Sequence, residues 1–174
     1  MSLLRILHYP EPLLKRRSQT VTEFDDELRQ LAEDMAETMY DAPGVGLAAP
    51  QVGVLKRLIV MDCSAKEEPN DLLCAVNPEI IATEGESVEE EGCLSVPGFY
   101  ANVNRAAKVR MRYQDVAGNV HERDADGLLA ICMQHEIDHL EGILFVDRLS
   151  PLKRSMFKKK YLKMLKEREQ EHVT

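Results

Sequence analysis

Tryptophan is absent, and aromatic side chains make up only 5% of the 174 residues. So poor an aromatic supply argues against a carbohydrate platform or a surface on which single-stranded nucleic acid stacks. No apolar run approaches the roughly 20 residues that a membrane-spanning helix needs. The opening Met1-Ser2-Leu3-Leu4-Arg5, with His8, Pro10 and Glu11 close behind, lacks the apolar stretch and cleavage site of a secretory leader, which predicts a cytoplasmic protein. Cysteine is sparse: Cys63, Cys74, Cys93 and Cys132. Without a leader these are expected to be reduced thiols, with Cys63 and Cys74 as small buried apolar side chains. No repeat, low-complexity tract or linker divides the chain, so one domain is expected over 1–174, ending in a basic helix over 151–174.

What is present is an ordinary globular mixture, 44% hydrophobic and 30% charged, with a net charge of −8. That charge is uneven. Residues 153–174 hold eight basic and three acidic side chains, net +5, against net −13 for residues 1–152. An acidic body does not attract nucleic acid, whereas a basic tail offers a local patch.

The apolar stripe Phe24, Leu28, Leu31, Met35 and Met39 predicts a helix over 22–41, with Thr22 and Asp25 as a capping box and Pro43-Gly44 as its stop. Residues 57–62 and 72–76 read as buried strands. Residues 106–113 alternate as a half-buried strand, and Ala117-Gly118-Asn119 turns into a partner at 120–124. Helices are expected over 127–141, ended by Gly142, and over 151–168. Strands in runs rather than in βαβ alternation give an α+β class with mostly antiparallel sheet.

The strongest chemical signal is His135-Glu136-Ile137-Asp138-His139 on a predicted helix. Histidines at i and i+4 project from one face about 6 Å apart, close enough to share a metal ion. Glu136 lies where a bound water would sit and is placed to act as general base. The surrounding helix is apolar, so the alternative of two incidental solvated histidines would bury unpaired polar groups at a cost.

A catalytic site needs a third protein ligand and one open position. Glu141 lies about 200° around the helix from His139, on the wrong face. Cys132 shares the face, but seven residues before His139 it stands about 10.5 Å away along a straight helix, which places it in a pocket wall. Asp147 stays open on spacing. Cys93, in Glu91-Gly92-Cys93-Leu94-Ser95-Val96-Pro97, is presented from a turn or strand, and spacing alone does not decide between ligand and other roles. A Cys–His nucleophilic pair is the competing use of that thiol.

Gly44-Val45-Gly46-Leu47-Ala48-Ala49-Pro50-Gln51 matches a dinucleotide fingerprint by letters only. It follows a helix rather than a strand, and Pro50 interrupts what comes after, so no nucleotide cofactor is expected. The remaining reading is a loop that brings backbone against a substrate, with Gln51 supplying an amide donor.

These three segments, Gly44–Gln51, Glu91–Ser95 and Gln134–His139, resemble in order the signature motifs of the peptide deformylase family, the bacterial class with an extended C-terminal helix. The likeness runs from Ile6-Leu7-His8-Tyr9-Pro10 to the C-terminal helix. It implies an α+β fold of mostly antiparallel sheets around a central metal-binding helix. It implies Cys93, His135 and His139 as metal ligands, Fe²⁺ as the metal (Zn²⁺, Ni²⁺ or Co²⁺ as substitutes), and removal of the formyl group from formyl-methionine of nascent peptides. Glu136 would be the base, with the Gln51 amide and the Leu94 N–H as oxyanion donors. The Gly46 carbonyl would accept the substrate backbone. A methionine slot would be lined by Val45, Leu128, Ile131, Cys132 and His135, with core packing as the alternative for Leu128 and Ile131. Glu91 is expected among the substrate-binding residues, and its pairing with Arg105 would anchor the cysteine segment. The class also implies docking of the basic helix on the ribosome. Tyr100 and Glu89 stand where relatives carry a basic and an aliphatic residue, which touches downstream substrate preference. The rival functions are an HExxH zinc peptidase, although no His follows at the metzincin spacing, and a non-catalytic metal-binding relative.

Overall fold

The computed structural model describes residues 2–173, with side chains as far as residue 170. Met1, Thr174 and the side chain of Glu171, counted above in the basic tail, lie outside the described residues. The elements are α1 (Asp26–Asp41), β1 (Gly46–Ala48), β2 (Leu58–Met61), β3 (Leu73–Cys93), β4 (Val96–Gln114), β5 (Val120–Asp126), α2 (Gly127–Leu140) and α3 (Pro151–Val173). The five strands form one antiparallel sheet in chain order. The class is α+β, as expected.

The apolar run Leu58-Ile59-Val60-Met61 is continuous because both of its faces are covered. Leu58 and Val60 pack with Leu28, Met35 and Met39 of α1. Ile59 and Met61 pack with Ala130, Cys132 and Met133 of α2. The sheet is thus a filling between α1 and α2. A third cluster, of Val96, Val103, Phe145, Val146, Phe157 and Tyr161, seats α3 against the turn between β3 and β4.

Three expectations need correcting. The first helix begins at Asp26, because Asp25 rather than Thr22 supplies the cap, accepting from Leu28 N at 3.0 Å. The glycine loop contains a short strand, β1, paired with β2 through Gly46 and Met61. The strands read at 72–76 and 106–113 are parts of much longer ones, 21 and 19 residues, whose charged middles are held by mutual pairing. The second predicted helix stops as expected. Gly142 sits at φ +76°, and Ile143 N closes on Asp138 O at 2.9 Å.

Gln134 locks α2 to the sheet. Its amide accepts from Ala106 N at 2.9 Å and donates to Ala106 O at 3.0 Å, standing in for a neighbouring strand.

Candidate active site

Three elements converge on one point. α2 presents His135 and His139 with ring centroids 5.0 Å apart. β3 ends at Cys93, where the Leu94-Ser95 turn leads into β4. The short turn after β1 carries Gln51. A ligand-type atom from each of Cys93, His135 and His139 lies within 4.8 Å of the others. Cys93 Sγ is 3.4 Å from His139 Nε2 and accepts from Ser95 N at 3.4 Å and Gln51 Nε2 at 3.6 Å.

The second nitrogen of His135 is fixed. Its Nδ1 lies 3.0 Å from Glu91 Oε1. Glu91 is held by a two-pronged contact from Arg105, Nε to Oε2 and Nη2 to Oε1, each at 2.9 Å. Arg105 also donates to Asp138 Oδ2 at 2.6 Å, and Arg148 closes on both oxygens of Asp138 at 2.6 and 2.7 Å. A chain of alternating charge therefore runs from Arg148 to the His135 ring. Burial alone would raise the Glu91 pKa, but hydrogen bonds from His135 and Arg105 outweigh it and lower it. Burial also disfavours a charged His135, yet Cys93 and Glu91 outweigh that and raise its pKa. His139, with no such carboxylate, is pushed down by burial and then by the charge of His135.

Glu136 is buried beside this cluster. Loss of water around it raises its pKa to about 7, with the charges of His135 and Arg105 opposing the shift. Its Oε1 and the Nδ1 of His139 find no hydrogen-bond partner among the described residues. Such atoms are costly unless another group completes them.

The donors suit a metal ion. Ligand bonds of about 2.0–2.3 Å in tetrahedral geometry set donors roughly 3.5 Å apart, close to the 3.4 Å between Cys93 and His139. The other candidates are occupied elsewhere. Glu141 pairs with Arg57 at 2.7 Å and Arg17 at 3.1 Å. Asp147 pairs with Lys15 and accepts from Leu144 N.

A cleft of about 960 Å³ opens onto the cluster. Val45, Leu128, Ile131 and Cys132 all line it, with Val45 and Leu128 at its mouth and Cys132 buried. Gln51 is fully buried. Its Oε1 accepts from Ala48 N at 2.9 Å and its Nε2 donates to Ser95 Oγ at 3.0 Å, so the amide hydrogens face Cys93. Gly46 belongs here because a Cβ at that position would meet Cys132 Sγ at 2.7 Å and collide with Glu136. Leu94 folds against Gly44. Glu91 borders the cleft, but its carboxylate is turned to Arg105 and His135. Sequence reasoning left out Ser95, Arg148 and the role of Asp138. Asp138, three residues after His135, was within the motif, whereas no spacing rule pointed to Arg148 or Ser95.

A thiol, two imidazoles and a buried carboxylate in one cleft are the parts of a mononuclear hydrolytic metal centre. The polypeptide deformylase family matches residues 3–155. A peptide deformylase of Thermodesulfovibrio yellowstonii is 51% identical over 161 residues, covering 92% of this chain and 98% of the relative. The crystal structure of a peptide deformylase from Legionella pneumophila superimposes with a TM-score of 0.88 at 48% identity, covering 95% and 97% of the two chains. One from Ehrlichia chaffeensis, in complex with actinonin, gives 0.88 at 40% identity over 94% and 98%. The chain belongs to the polypeptide deformylase family.

Proposed function

We infer that this enzyme hydrolyses the N-formyl group of formyl-methionine on newly made polypeptides, releasing formate. The observation that carries the reading is the meeting of Cys93, His135 and His139 beside the buried Glu136 in one cleft. The whole chain is read as one catalytic domain, built around α2 as the metal-binding helix.

Cys93, His135 and His139 would hold the metal, taken as Fe²⁺, with Zn²⁺, Ni²⁺ or Co²⁺ as substitutes. A thiolate with two imidazoles suits a borderline-soft ion. When bound, such an ion supplies Lewis acidity toward the formyl carbonyl and the attacking water. Glu136 takes the water proton and returns it to the departing amine. Its pKa of about 7, set by burial, suits a group that must do both. The Gln51 amide and the Leu94 N–H stabilise charge developing on the carbonyl oxygen. The Gly46 carbonyl accepts from the substrate backbone, and the methionine side chain enters between Val45, Leu128, Ile131 and Cys132. Glu91 acts through His135, fixing its tautomer and ring orientation.

Formate release from a formyl-Met tripeptide tests this, measured without oxygen on Fe²⁺-reconstituted protein beside a Glu136→Ala control. Release abolished in the control supports the reading. No release from a preparation shown to hold one metal per chain overturns it. Parallel reconstitution with each metal ranks the ions.

The cytoplasm, where nascent chains emerge, is the proposed location. The lysine-rich face of α3 is proposed to dock on ribosomal RNA. Phosphate contacts make such binding fall steeply with salt, so affinity indifferent to both salt and truncation after residue 150 would overturn the docking.

A further inference from the structure

The cleft carries charge of one sign at its mouth. Among the described residues that line it there is no lysine or arginine, whereas Glu89, Glu90, Glu91 and Glu136 all line it. Two of these lie inside. Glu91 is held by Arg105 and His135, and Glu136 is buried with its Oε1 unpartnered. His8, whose pKa burial lowers, brings no charge near neutrality. Glu89 and Glu90 are exposed, and their carboxylates have no ion pair or hydrogen bond among the described residues.

Strand alternation sorts the two free carboxylates. Side chains two apart on a strand share a face. Glu91 reaches His135 on α2, so Glu89 stands on the α2 side of β3 as well. Glu90 stands on the other face. Gly92 and Tyr100 mark that other face, where a Cβ on Gly92 would meet the Tyr100 ring at 2.6 Å. The walls also set a direction. From the metal cluster outward, α2 runs back from His135 through Ile131 to the exposed Leu128, and β3 runs back from Cys93 through Glu91 to the exposed Glu89. An extended peptide advances about 6.8 Å over two residues, the same step that separates Glu91 from Glu89. With its methionine turned to α2 beside Ile131, its second side chain turns away. Its third turns back to α2 and arrives beside Glu89.

We propose that Glu89 selects formylated chains with a cationic side chain, lysine or arginine, at the third residue and disfavours acidic ones there. This selection rests on the deformylase reading and adds no group to the chemistry. Glu89 is a specificity-determining residue that meets the substrate two positions beyond the methionine. Ion pairs at exposed sites are weak, so the selection is one of degree. Attraction of a cation and repulsion of an anion together give a preference of about fivefold.

The test gives the metal-loaded, full-length protein formyl-Met-Ala-Lys-amide and formyl-Met-Ala-Glu-amide. Each rate is referred to formyl-Met-Ala-Ala-amide on the same preparation, which cancels differences in folding or metal content. kcat/KM should favour the lysine peptide about fivefold. The preference should shrink toward one as salt is raised to about 0.5 M. Glu89→Gln should bring it to about twofold or less, and Glu89→Lys should invert it. The same exchange at the second residue, in formyl-Met-Lys-Ala-amide and formyl-Met-Glu-Ala-amide, should respond less to Glu89→Lys. A wild-type ratio near one, a ratio that Glu89→Lys leaves unchanged, or a larger response at the second residue overturns the proposal. The unformylated Met-Ala-Lys-amide and Met-Ala-Glu-amide, titrated by NMR, carry the same comparison without turnover. Lysine preference that inverts in Glu89→Lys, in a protein without formate release, would discredit the reading of function and leave the selection standing. Formate release without the preference would do the reverse.

Discussion

α2 and α3 are built on opposite terms. α2 is shorter, 14 residues, and eight of these are buried, including His135, Glu136, Asp138 and His139. α3 runs for 23 residues, yet touches the body mainly through Phe157 and Tyr161, with Leu152 72% and Met156 62% exposed. Phe157 stacks in a small aromatic nest, 4.6 Å from Phe99 and 5.4 Å from both Tyr9 and Tyr161. The family match itself stops at residue 155, inside α3. The contrast teaches what each helix needs. α2 hides charges: His135 and Asp138 are answered by Glu91, Arg105 and Arg148, whereas Glu136 Oε1 is left without a partner among the described residues. α3 buries chiefly the rings of Phe157 and Tyr161, with the Tyr161 hydroxyl finding no hydrogen-bond partner among the described residues.

The largest effect is expected at the centre of α2. Glu136→Ala should lower kcat for formate release by about 10²–10⁴-fold. Thermal stability should stay level or rise, since a buried carboxylate oxygen without a partner disappears. A variant that lost folding along with activity would turn Glu136 into a structural residue and blur the comparison.

Next comes the charge chain behind His135. Arg105→Ala leaves Glu91 and Asp138 buried with fewer partners, and removing one member of such an arrangement costs about 3–5 kcal/mol. Urea unfolding measures it directly, and metal retention should fall in parallel. In α3, Phe157→Ala should cost about 3 kcal/mol through lost aromatic packing, while kcat stays unchanged. If Phe157→Ala lowered kcat, the helix would be part of the catalytic frame and the separation drawn here would fail.

A smaller, pH-dependent difference should follow. The folded pKa of Glu91 lies below its unfolded value. Its ionised form therefore stabilises the fold above roughly pH 4.3, the unfolded value, and that contribution is lost as pH falls through the lower folded value. Melting temperature followed from pH 6 down to 3 should drop less steeply in Glu91→Gln than in wild type. Equal slopes would mean that Arg105 holds this carboxylate no better than water does.

Much of α2 was legible beforehand, because its signals are local: an i, i+4 histidine pair, an apolar surround and a glycine stop. The ribbon of β3 and β4 was not. Residues 79–91 include Glu79, Glu84, Glu86, Glu89, Glu90, Glu91 and Gly85, residue types that disfavour strands. They are extended because the glutamates pair across to β4, from Glu79 with Arg112 to Glu91 with Ala101. Pairing at that sequence distance leaves no short-range trace. The same holds for Arg148. Its role depends on the chain after Gly142 turning back over α2, a path no local pattern specified. Glu91 and Arg105 were paired in advance only through family resemblance, and the long ribbon is what makes that pairing geometrically available. Cys63 was read as a small buried apolar side chain, and it packs, half-buried, against the core cluster beneath α2.

The smallest effects separate the two helices most cleanly. Leu128 of α2 is 53% exposed and Leu152 of α3 is 72% exposed, so neither supports the core much. Leu128→Ser and Leu152→Ser should each change stability by no more than about 0.5 kcal/mol. Their kinetics should differ. Leu128 lines the cleft, so its loss should raise KM for a formyl-Met peptide without moving kcat, the sign of lost uniform binding. Leu152 is outside the cleft lining, and its substitution should leave both constants alone. If Leu152→Ser raised KM as Leu128→Ser does, substrate would have to reach the start of α3. The basic helix would then belong to the binding surface for the nascent chain rather than stand apart from it.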